Sequence, residues 1–462
     1  MLPGDRPRPN HYRYDAARHP HDRTRPDESD VSNACPKDLR YLTERDLRLK
    51  KNIIFSRRCI RPAITSVDRD EVANISQPLI LQKQPLDLPS CEGAAEVPKC
   101  EVVTLKVPHP YPSRTYPEFL FGVSSLSDRL HESRDTFAAW LSGSGAKFVG
   151  IVADRGGATD ETLAHLRTAF RDAGIDAEFV LPPKPKLSAS RNHFAMVRDL
   201  VRAADARTKW IGIIDDDTFF PSLHPVAEAL GKLDHTREQY AGALSEDFRA
   251  IQNWGYMAFG GAGMFLSVPA ARLVDENLER CLEEGSNGEG DGLLRDCVYR
   301  HTHAKLTQIK GLHQQDMMGD VSGFYEAGLR PASLHHWKSW HHVPVDRMSL
   351  VSHVCGDCFL QRWRFGEDTV LSNGYSISVY KDGVRHLELD RTEASWGDHE
   401  FYEFSLGPFR EKIEEGGKKS YVLADAELLP SGDLRQVYVH RTRFDSSDPD
   451  EVVELFWNLD GK

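Results

Sequence analysis

The sequence predicts an α/β fold with a Rossmann-like, largely parallel sheet. Three observations lead to this class. Order begins at Phe119, after which short apolar runs alternate with amphipathic segments. The amphipathic segments carry apolar residues three and four positions apart, as helices do. Strands that alternate with helices of about 12 to 17 residues form parallel sheets that are covered on both faces.

The predicted elements follow in a regular order. They are a strand over 119–124, a helix over 127–141, a strand over 148–153, a helix over 160–173, a strand over 177–181, a helix over 188–204 and a strand over 209–214. After residue 347 the pattern changes to short strands, predicted over 369–380, 383–389, 401–406, 420–424 and 435–440, and Asp382-Gly383 is a hairpin signal. The end of the chain is therefore predicted to be a β-rich extension.

These patterns divide the chain into four parts. Residues 1–60 are rich in proline and charge and are predicted to be a disordered tail. Residues 61–117 hold short apolar runs between prolines and are predicted to be an extended segment that wraps a domain. The α/β domain covers 118–346, and the β-rich extension covers 347–462.

Composition excludes two classes of partner. The net charge is -12, the pI is about 5.9, and no dense block of lysine and arginine occurs, so nucleic acid is not an expected partner. No apolar run approaches the roughly 20 residues that a membrane-spanning helix needs. Residues 1–26 contain no apolar segment typical of a signal peptide. The sequence predicts no membrane span in the given chain.

The eight cysteines permit disulfides without specifying them. Cys355 and Cys358 form a Cys-x-x-Cys pair that could be half of a zinc site, but no second pair follows to complete four ligands. We therefore expect disulfides or free thiols. Asn74-Ile75-Ser76 is a glycosylation sequon, which is a weak indication of a secretory route.

The strongest functional signal is the acidic cluster Asp215, Asp216 and Asp217, which follows a buried strand. Neighbouring carboxylates repel one another unless a cation is present, and a divalent Mn or Mg ion would supply it. Ligands of open α/β sheets bind at the carboxyl ends of the strands, where this cluster lies. The alternative is a solvated acidic turn that caps a helix beginning near Ser222.

Three further motifs are weaker. The first is the glycine motif Gly260-Gly261-Ala262-Gly263. It predicts a close approach of the backbone to a ligand, in which Gly261, Ala262 and Gly263 are the binding residues. The alternative is a tight turn between strands. Asp291, flanked by glycines, is either a general base or an acid favoured by a helix dipole. Histidines 313, 335, 336, 341 and 342 could supply one metal ligand, although a structural role is more common for any single histidine.

These motifs resemble, in order and spacing, those of the Fringe-like branch of glycosyltransferase family 31, and most closely its fungal and plant members. The matching segments are Asp215-Asp216-Asp217-Thr218-Phe219, Gly260-Gly261-Ala262-Gly263, Asp291, Gly311-Leu312-His313-Gln314, Gly319-Asp320 and Ser333-Leu334-His335-His336. The resemblance extends over residues 119–380.

The resemblance implies a GT-A fold, inverting transfer of a hexose or N-acetylhexosamine from a UDP-sugar, a Mn ion, and a 1,3-type linkage formed in the Golgi. By analogy, Asp215 and Asp216 contact the nucleotide, Asp217 is the direct metal ligand, and Asp291 is the general base. His313 and His336 remain alternative metal ligands. Cys281 and Cys297 match a disulfide position of that family.

The predicted function is therefore a Mn-dependent glycosyltransferase that acts on a hydroxyl of a glycan or glycoprotein. Two alternatives use the same residues differently. One is a phosphohydrolase or nucleotidyltransferase, which would need a second metal cluster or a phosphate-binding loop. The other is a carbohydrate-binding protein without catalysis. The sequence does not specify the donor sugar, the acceptor or the linkage.

Overall fold

The computed structural model describes residues 35–154, 157–182, 184, 187–285 and 290–458. The strands in this part of the chain are β1 (Asn52–Ile64), β2 (Ala73–Ile75), β3 (Gln84–Asp87), β4 (Val102–Val107), β5 (Phe119–Ser125), β6 (Lys147–Val152), β7 (Asp176–Val180), β8 (Trp210–Ile213), β9 (Tyr240–Gly242), β10 (Met264–Ser267), β11 (Leu306–Gln308), β12 (Arg362–Phe365), β13 (Thr369–Ser372), β14 (Ser376–Tyr380), β15 (Thr392–Glu393), β16 (Phe409–Arg410), β17 (Lys418–Leu428), β18 (Leu434–His440) and β19 (Asp450–Trp457).

The α-helices of the same residues are α1 (Tyr41–Glu44), α2 (Ser127–Leu141), α3 (Asp160–Asp172), α4 (Ala189–Ala195), α5 (Val197–Ala203), α6 (His224–Gly231), α7 (Phe248–Trp254), α8 (Val268–Glu276), α9 (Leu278–Glu284), α10 (Gly290–His301), α11 (Ser322–Glu326), α12 (Val345–Ser349), α13 (Ser352–Cys355) and α14 (Glu403–Leu406). Short 3₁₀ turns occupy Ala94–Glu96, Gly260–Ala262 and His399–Tyr402, and a π-helical turn occupies Trp337–His341.

A seven-stranded sheet positions the predicted site. Its strands lie in the order β7-β6-β5-β8-β10-β9-β11, and β10 is antiparallel to both of its neighbours while the other pairs are parallel. The sheet is largely parallel and its strands alternate with helices along the chain, so the predicted Rossmann-like α/β fold class is confirmed. The strand order reverses between β5 and β8, and ligands of open α/β sheets bind at such a point.

Alternate residues of the central strands fill two hydrophobic cores, because successive side chains of a strand point to opposite faces. Phe119 and Phe121 pack on one face with helices α2 and α3, while Leu120 packs on the other with helices α4, α5, α8 and α10. Both faces are covered, as the alternation of strands and helices predicts. The helix predicted over 188–204 is two helices, which meet at Met196.

A ten-stranded sheet joins the beginning and the end of the described chain. β1 pairs in parallel with both β19 and β4, and β2 pairs with β12. Its inner residues, such as Trp363 and Trp457, belong to the same hydrophobic core as Phe119. The β-rich character predicted for the C-terminal extension is therefore correct, and N-terminal strands complete its sheet.

The prediction of a disordered tail over 1–60 is wrong for its later part, since β1 lies across its boundary. The charges of β1 misled the prediction. Arg57 forms an ion pair with Glu454 of β19, and Arg58 bonds Gln77 and lies 3.5 Å from Glu101, so these arginines are buried with partners from distant segments. Residues 1–34 lie outside the described residues.

Two strands predicted in the extension are absent from the described structure. Residues 383–389 form turns, and residues 401–406 lie in the 3₁₀ turn and helix α14. Short apolar runs do not distinguish a strand from a short helix. Here Phe404 packs edge-on against Phe248, and the Phe401 ring lies under the guanidinium of Arg249. These contacts with α7 stabilise the helical conformation.

All eight cysteines are paired, which confirms the expectation of disulfides. The pairs are Cys35–Cys91, Cys59–Cys100, Cys281–Cys297 and Cys355–Cys358. Cys281–Cys297 joins α9 to α10, as the family resemblance implies, and the pairing of Cys355 with Cys358 excludes the half zinc site. Across the described residues, no helix has both the length and the apolar character to cross a bilayer.

Candidate active site

The acidic cluster lies just beyond β8, at the centre of the seven-stranded sheet. The turn is held by Thr218, whose hydroxyl accepts a hydrogen bond from the Asp215 amide at 3.0 Å and donates one to the Gly261 carbonyl at 2.9 Å. Asp216 and Asp217 are buried, whereas Asp215 is partly exposed. The alternative of a solvated turn therefore does not describe this segment.

Asp217, His335 and His336 form a group that could hold a metal ion. One potential ligand atom from each lies within 4.8 Å of the others. His335 Nε2 is 3.0 Å from Asp217 Oδ1, and the second carboxylate oxygen of Asp217 accepts a hydrogen bond from the Ser339 hydroxyl. Metal–ligand distances are about 2.0–2.2 Å, so small side-chain movements would bring these atoms onto one ion.

The backbone explains why both histidines reach the cluster. Phe219 and Leu334 pair through two hydrogen bonds of 2.8 Å, which places the following residues beside the aspartates. His336 then adopts a left-handed conformation with φ 54°, so the rings of His335 and His336 lie 3.7 Å apart. In an extended chain these two side chains would point to opposite sides.

The charges in this group are strongly coupled. Burial alone would lower the pKa of His335, but its hydrogen bonds to Asp215 and Asp217 outweigh burial and raise that pKa to about 10. Burial would raise the pKa of Asp217, yet the hydrogen bond from His335 keeps that pKa well below its ordinary value. Burial lowers the pKa of His336, which keeps its imidazole neutral. Without a metal, a protonated His335 balances the two carboxylates, and it must lose that proton before it can bind a metal.

Partners outside the group orient His336. Its Nε2 lies 3.2 Å from Asp316 Oδ1 and its Nδ1 lies 3.1 Å from the Ser339 hydroxyl. Its ring stacks on Trp340 with centroids 3.7 Å apart and an interplanar angle of 3°. Such outer contacts fix the ring orientation of metal-binding histidines.

The glycine motif packs beneath His335. A Cβ at Gly261 would lie 2.1 Å from two atoms of the His335 ring, so this position requires glycine. Gly263 has φ +101°, which other residues rarely adopt. The amide of Ala262 donates to the Gln314 side chain at 2.9 Å. The close approach predicted for Gly261, Ala262 and Gly263 is therefore an approach to a histidine of the site.

Asp216 has a different environment from Asp217. The Arg129 guanidinium donates to both of its oxygens, at 2.6 and 2.5 Å, and the Ser125 hydroxyl donates to one of them. Arg129 comes from the start of α2 and Ser125 from the end of β5. The hydrogen bond to Asp216 raises the pKa of Arg129, so its guanidinium stays charged. Both oxygens of Asp216 are thus occupied by protein donors.

Asp291 lies in the first turn of α10, facing the same cluster. Its Oδ2 accepts a hydrogen bond from the Gly260 amide at 2.7 Å. Its Oδ1 is 3.5 Å from Nε2 of His193, whose Nδ1 is 3.6 Å from Asp215. Burial, together with the charge of Asp215, raises the pKa of Asp291. A half-buried carboxylate with increased proton affinity is suited to act as a general base.

His313, the other candidate metal ligand, does not belong to the group formed by Asp217, His335 and His336. The Nδ1 of His313 lies 2.8 Å from Oε1 of Glu246, and its ring packs edge-on against Phe324. Glu246 also accepts a hydrogen bond from the Gln315 amide at 2.9 Å. The loop that carries Gln314 and Asp316 is thereby fixed beside the cluster.

A cavity of about 550 Å³ connects these groups. It is lined by Asp215, Asp247, Arg249, Ala250, Asn253, Trp254, Met257, Phe259, Asp291, Gln314, Asp316, His335, His336 and Trp340. The candidate base and the histidines of the metal group thus face one space. A second cavity of about 410 Å³ lies on the ten-stranded sheet, away from this chemistry.

Sequence reasoning missed several residues of the site. His335 is one of five candidate histidines, and no feature of the sequence distinguishes it from the others. His193 lies within the predicted helix 188–204, whose pattern is defined by its apolar residues. Arg129 and Asp316 had no distinguishing pattern. Glu289, a neighbouring acid of Asp291, lies outside the described residues.

The fold and the site define a Rossmann-like α/β protein with a candidate metal centre. A family model described as "Protein of unknown function, DUF604" matches residues 251–413. This range includes the glycine motif, Asp291 and both histidines of the metal group. The comparison with curated proteins gives no match.

Three solved structures are similar to part of the chain. One is mannosyltransferase PcManGT from Pyrobaculum calidifontis in complex with GDP-Man and Mn²⁺, with 14% identity over 43% of this chain, 58% of that chain and a TM-score of 0.28. Another is 4-diphosphocytidyl-2C-methyl-D-erythritol synthase from Anaerococcus prevotii, with 10% identity over 42% of this chain, 90% of that chain and a TM-score of 0.28. Mouse xyloside xylosyltransferase 1 in its apo form has 9% identity over 42% of this chain, 85% of that chain and a TM-score of 0.27. At these TM-scores the similarity supports no inference about function.

Proposed function

We propose that this protein is an inverting, Mn-dependent glycosyltransferase of the Fringe-like type. It transfers a hexose or N-acetylhexosamine from a UDP-sugar to a hydroxyl of a glycan or glycoprotein, forming a 1,3-type linkage. The observation that carries the proposal is the arrangement around one cavity: Asp291 faces it together with His335 and His336, the two histidines grouped with Asp217.

The residues present fit a divalent metal. Asp217 supplies a carboxylate oxygen, and His335 and His336 supply imidazole nitrogens. Carboxylate oxygen suits Mn or Mg, and the imidazole ligands favour a transition metal, so Mn is preferred and Mg is possible. When bound, the metal would neutralise charge on the departing nucleoside diphosphate. A neutral His336 can donate to Asp316 or to Ser339 through one nitrogen, and this contact would hold its ring in place while the other nitrogen binds the metal.

The nucleotide would be held beside the metal group. Asp215 and Asp216 are the proposed nucleotide-contacting residues. Since both oxygens of Asp216 already accept hydrogen bonds from Arg129 and Ser125, Asp216 would act chiefly by positioning Arg129. The Arg129 side chain is partly exposed and carries a permanent positive charge that suits a diphosphate.

Asp291 would activate the acceptor. Its carboxylate takes the proton of the acceptor hydroxyl as the hydroxyl oxygen forms a bond to the anomeric carbon. The bond from that carbon to the UDP oxygen breaks on the opposite face, so the configuration inverts. The raised pKa of Asp291 favours proton uptake. His193, between Asp291 and Asp215, would hold the carboxylate in position.

The direct test is Mn-dependent release of UDP from UDP-galactose, UDP-N-acetylglucosamine and UDP-glucose. Release from one donor, with inversion of the transferred sugar shown by NMR, supports the proposal. The absence of UDP release and of Mn·UDP binding with folded protein would refute it. Cleavage of a nucleoside triphosphate instead would favour the phosphohydrolase or nucleotidyltransferase alternative. Sugar binding without turnover would favour a carbohydrate-binding protein.

We also propose that the protein functions in the secretory pathway, as the family resemblance implies for the Golgi. Four disulfides are typical of proteins from oxidising compartments. Asn74 of the sequon is exposed on the edge strand β2. If the protein enters this route, glycosidase treatment should lower its mass, and Asn74→Gln should abolish that difference. A protein from eukaryotic cells with all thiols reduced would contradict the assignment.

A further inference from the structure

We infer that the outer part of the cavity is an acceptor subsite for an uncharged saccharide, with Trp254 as its main contact surface. This inference rests on the proposed function. Its occupant is a sugar ring or short glycan whose apolar face lies against an indole ring, while one hydroxyl points to Asp291. The inference depends on three features: two exposed tryptophans, the charges of the cavity wall, and the contacts that fix that wall.

Ligand-binding cavities are typically lined by aromatic side chains together with a few polar groups. Trp254 and Trp340 both line the cavity and are 46% and 44% exposed. One face of Trp340 is covered by His336, with which it is stacked. An amphipathic ring such as indole provides apolar contact area at low conformational cost, and this suits the C–H face of a sugar.

The position of these rings suits an acceptor rather than the nucleotide. Trp254 is at the end of α7, and Asn253 beside it adds an amide that can hydrogen-bond a hydroxyl. Asp291 and His335 line the same cavity, so a ring on Trp254 would lie in the space that the base faces. Of the proposed nucleotide contacts, Asp215 lines the cavity on the side of the metal group, and Arg129 does not line it.

The charges of the cavity wall select against anionic acceptors. Four aspartates line it: Asp215, Asp247, Asp291 and Asp316. The arginine of the wall, Arg249, is not available to an anion, because it donates to both oxygens of Asp247 and pairs with Asp398 at 2.8 Å. A carboxylate-bearing sugar would therefore meet net negative charge at the outer wall. A neutral sugar would meet hydrogen-bonding groups and an aromatic surface.

The C-terminal extension fixes this wall. The Tyr402 hydroxyl donates to the Asp316 carbonyl at 2.9 Å, and the Ser405 hydroxyl donates to the Glu246 carbonyl at 2.9 Å. Phe404 packs edge-on against Phe248 at the start of α7. Since α7 has no buried residue of its own, these contacts help to hold Trp254, together with the hydrogen bond from Arg295 to the Trp254 carbonyl. The subsite is thus built from the α/β domain and the C-terminal extension together.

The test uses the full chain saturated with Mn·UDP and titrated with neutral methyl glycosides of galactose, glucose, fucose and N-acetylglucosamine. Methyl glucuronide serves as the anionic probe. Binding to this complex is followed by ligand-observed NMR, and a separate assay without added UDP measures the rate of UDP release from the best donor in the presence of Mn. We expect at least one neutral glycoside to bind more tightly than the glucuronide and to accelerate UDP release.

The variants are Trp254→Ala, Trp254→Phe and, as a matched control, Phe444→Ala, an aromatic residue that is 62% exposed and outside the cavity. Trp254→Ala should weaken glycoside binding about tenfold, corresponding to roughly 1.4 kcal/mol. Trp254→Phe should keep most of it, and Phe444→Ala should match the unsubstituted protein. Mn·UDP affinity should be equal in all four proteins.

Three results would overturn the inference: no neutral glycoside binds to the Mn·UDP-saturated protein, the glucuronide binds best, or Trp254→Ala binds glycosides as well as the unsubstituted chain. Each leaves the proposed function intact as long as Mn·UDP still binds. Failure of the unsubstituted protein to bind Mn·UDP would instead refute the proposed function, so the two failures are distinguishable.

Discussion

The imidazole of His335 bridges two carboxylates of the strand-end cluster: its Nε2 lies 3.0 Å from Asp217 and 3.3 Å from Asp215. A buried histidine that contacts two acids is held as a cation, and its charge replaces that of a divalent ion. When a metal binds, His335 would offer a lone pair in place of its proton. His335 and Asp217 would then be metal ligands and no longer an ion pair. The geometry of the cluster is thus compatible with both states.

The first prediction is that Asp217→Asn abolishes Mn-dependent turnover of the UDP-sugar while the fold stays intact. The amide is a poor metal ligand and cannot balance the charge of the ion. We expect Mn·UDP affinity, measured by calorimetry, to fall about 100-fold or more, since even residues behind metal ligands contribute 10- to 100-fold. Asp234→Asn, which alters an exposed turn, is the control. Wild-type activity of Asp217→Asn at saturating Mn would show that the ligand assignment is wrong.

The second prediction separates the histidines. His335→Ala and His336→Ala should each weaken Mn binding about 10- to 100-fold, because each removes an imidazole of the metal group. His313→Ala is the matched control, since His313 pairs with Glu246 and should affect loop stability more than metal affinity. Manganese titration followed by electron paramagnetic resonance measures all three. A loss confined to His313→Ala would reverse the assignment.

The sequence predicted the elements from β5 to β8 well, because their apolar periodicity is sustained and both cores use it. It also offered Asp217, from the acidic cluster, and His336, from the family resemblance, as candidate metal ligands. His335 could not be chosen from the sequence, since only the left-handed backbone of His336 brings both rings together. Likewise, the bonding of Asp216 to Arg129 depends on tertiary packing between the end of β8 and the start of α2.

The N-terminal strand illustrates the other limit. β1 contains Arg57 and Arg58, and in isolation these charges suggest a solvated segment. Their partners Glu454 and Glu101 lie far away in sequence, so the pairing that permits their burial cannot be inferred from local pattern. Local periodicity predicts a helix or strand correctly where the burial of apolar residues alone determines its formation. It fails where ion pairs between distant segments allow charged residues to be buried.

The third prediction concerns the disulfide behind the candidate base. Cys281 and Cys297 are 16 residues apart, and removing their bond should cost about 3 kcal/mol on a loop-entropy estimate. We expect the Cys281→Ser/Cys297→Ser variant to unfold at lower denaturant concentration. The Cys355→Ser/Cys358→Ser variant, whose bond closes a separation of 3, should lose less by the same estimate. Equal losses of stability in the two variants would show that loop closure does not determine the effect.

A second measurement tests whether the bond exists. Peptide mapping that finds Cys281 and Cys297 as free thiols in secreted protein would refute the bond.

The fourth prediction is that Asp291→Asn lowers transfer by about 10² to 10⁴, which is the usual contribution of a positioned base. Asparagine keeps the size of the side chain and can still accept a hydrogen bond from the Gly260 amide. Mn·UDP affinity should therefore be unchanged. Asp296→Asn, on the same helix but outside the cavity, is the control. Single-turnover transfer within about threefold of the unsubstituted protein would refute the base assignment.

The last prediction follows from the raised pKa of Asp291. A base must be deprotonated to act, so activity should rise as the pH increases through the pKa of Asp291, which lies above the ordinary aspartate value of about 3.9.

The contribution of Asp291 to the stability of the fold changes with pH in the opposite direction. A carboxyl whose pKa is higher in the folded state favours folding at low pH, and this contribution is lost as the pH rises through that folded pKa. Asp291→Asn should therefore be more stable than the unsubstituted protein at neutral pH, because it removes a buried charge near Asp215, and the difference should vanish below the unfolded pKa. Thermal melts of both proteins across this pH range measure the difference. If Asp291→Asn is less stable than the unsubstituted protein at neutral pH, the ionised carboxylate stabilises the site and the prediction is wrong.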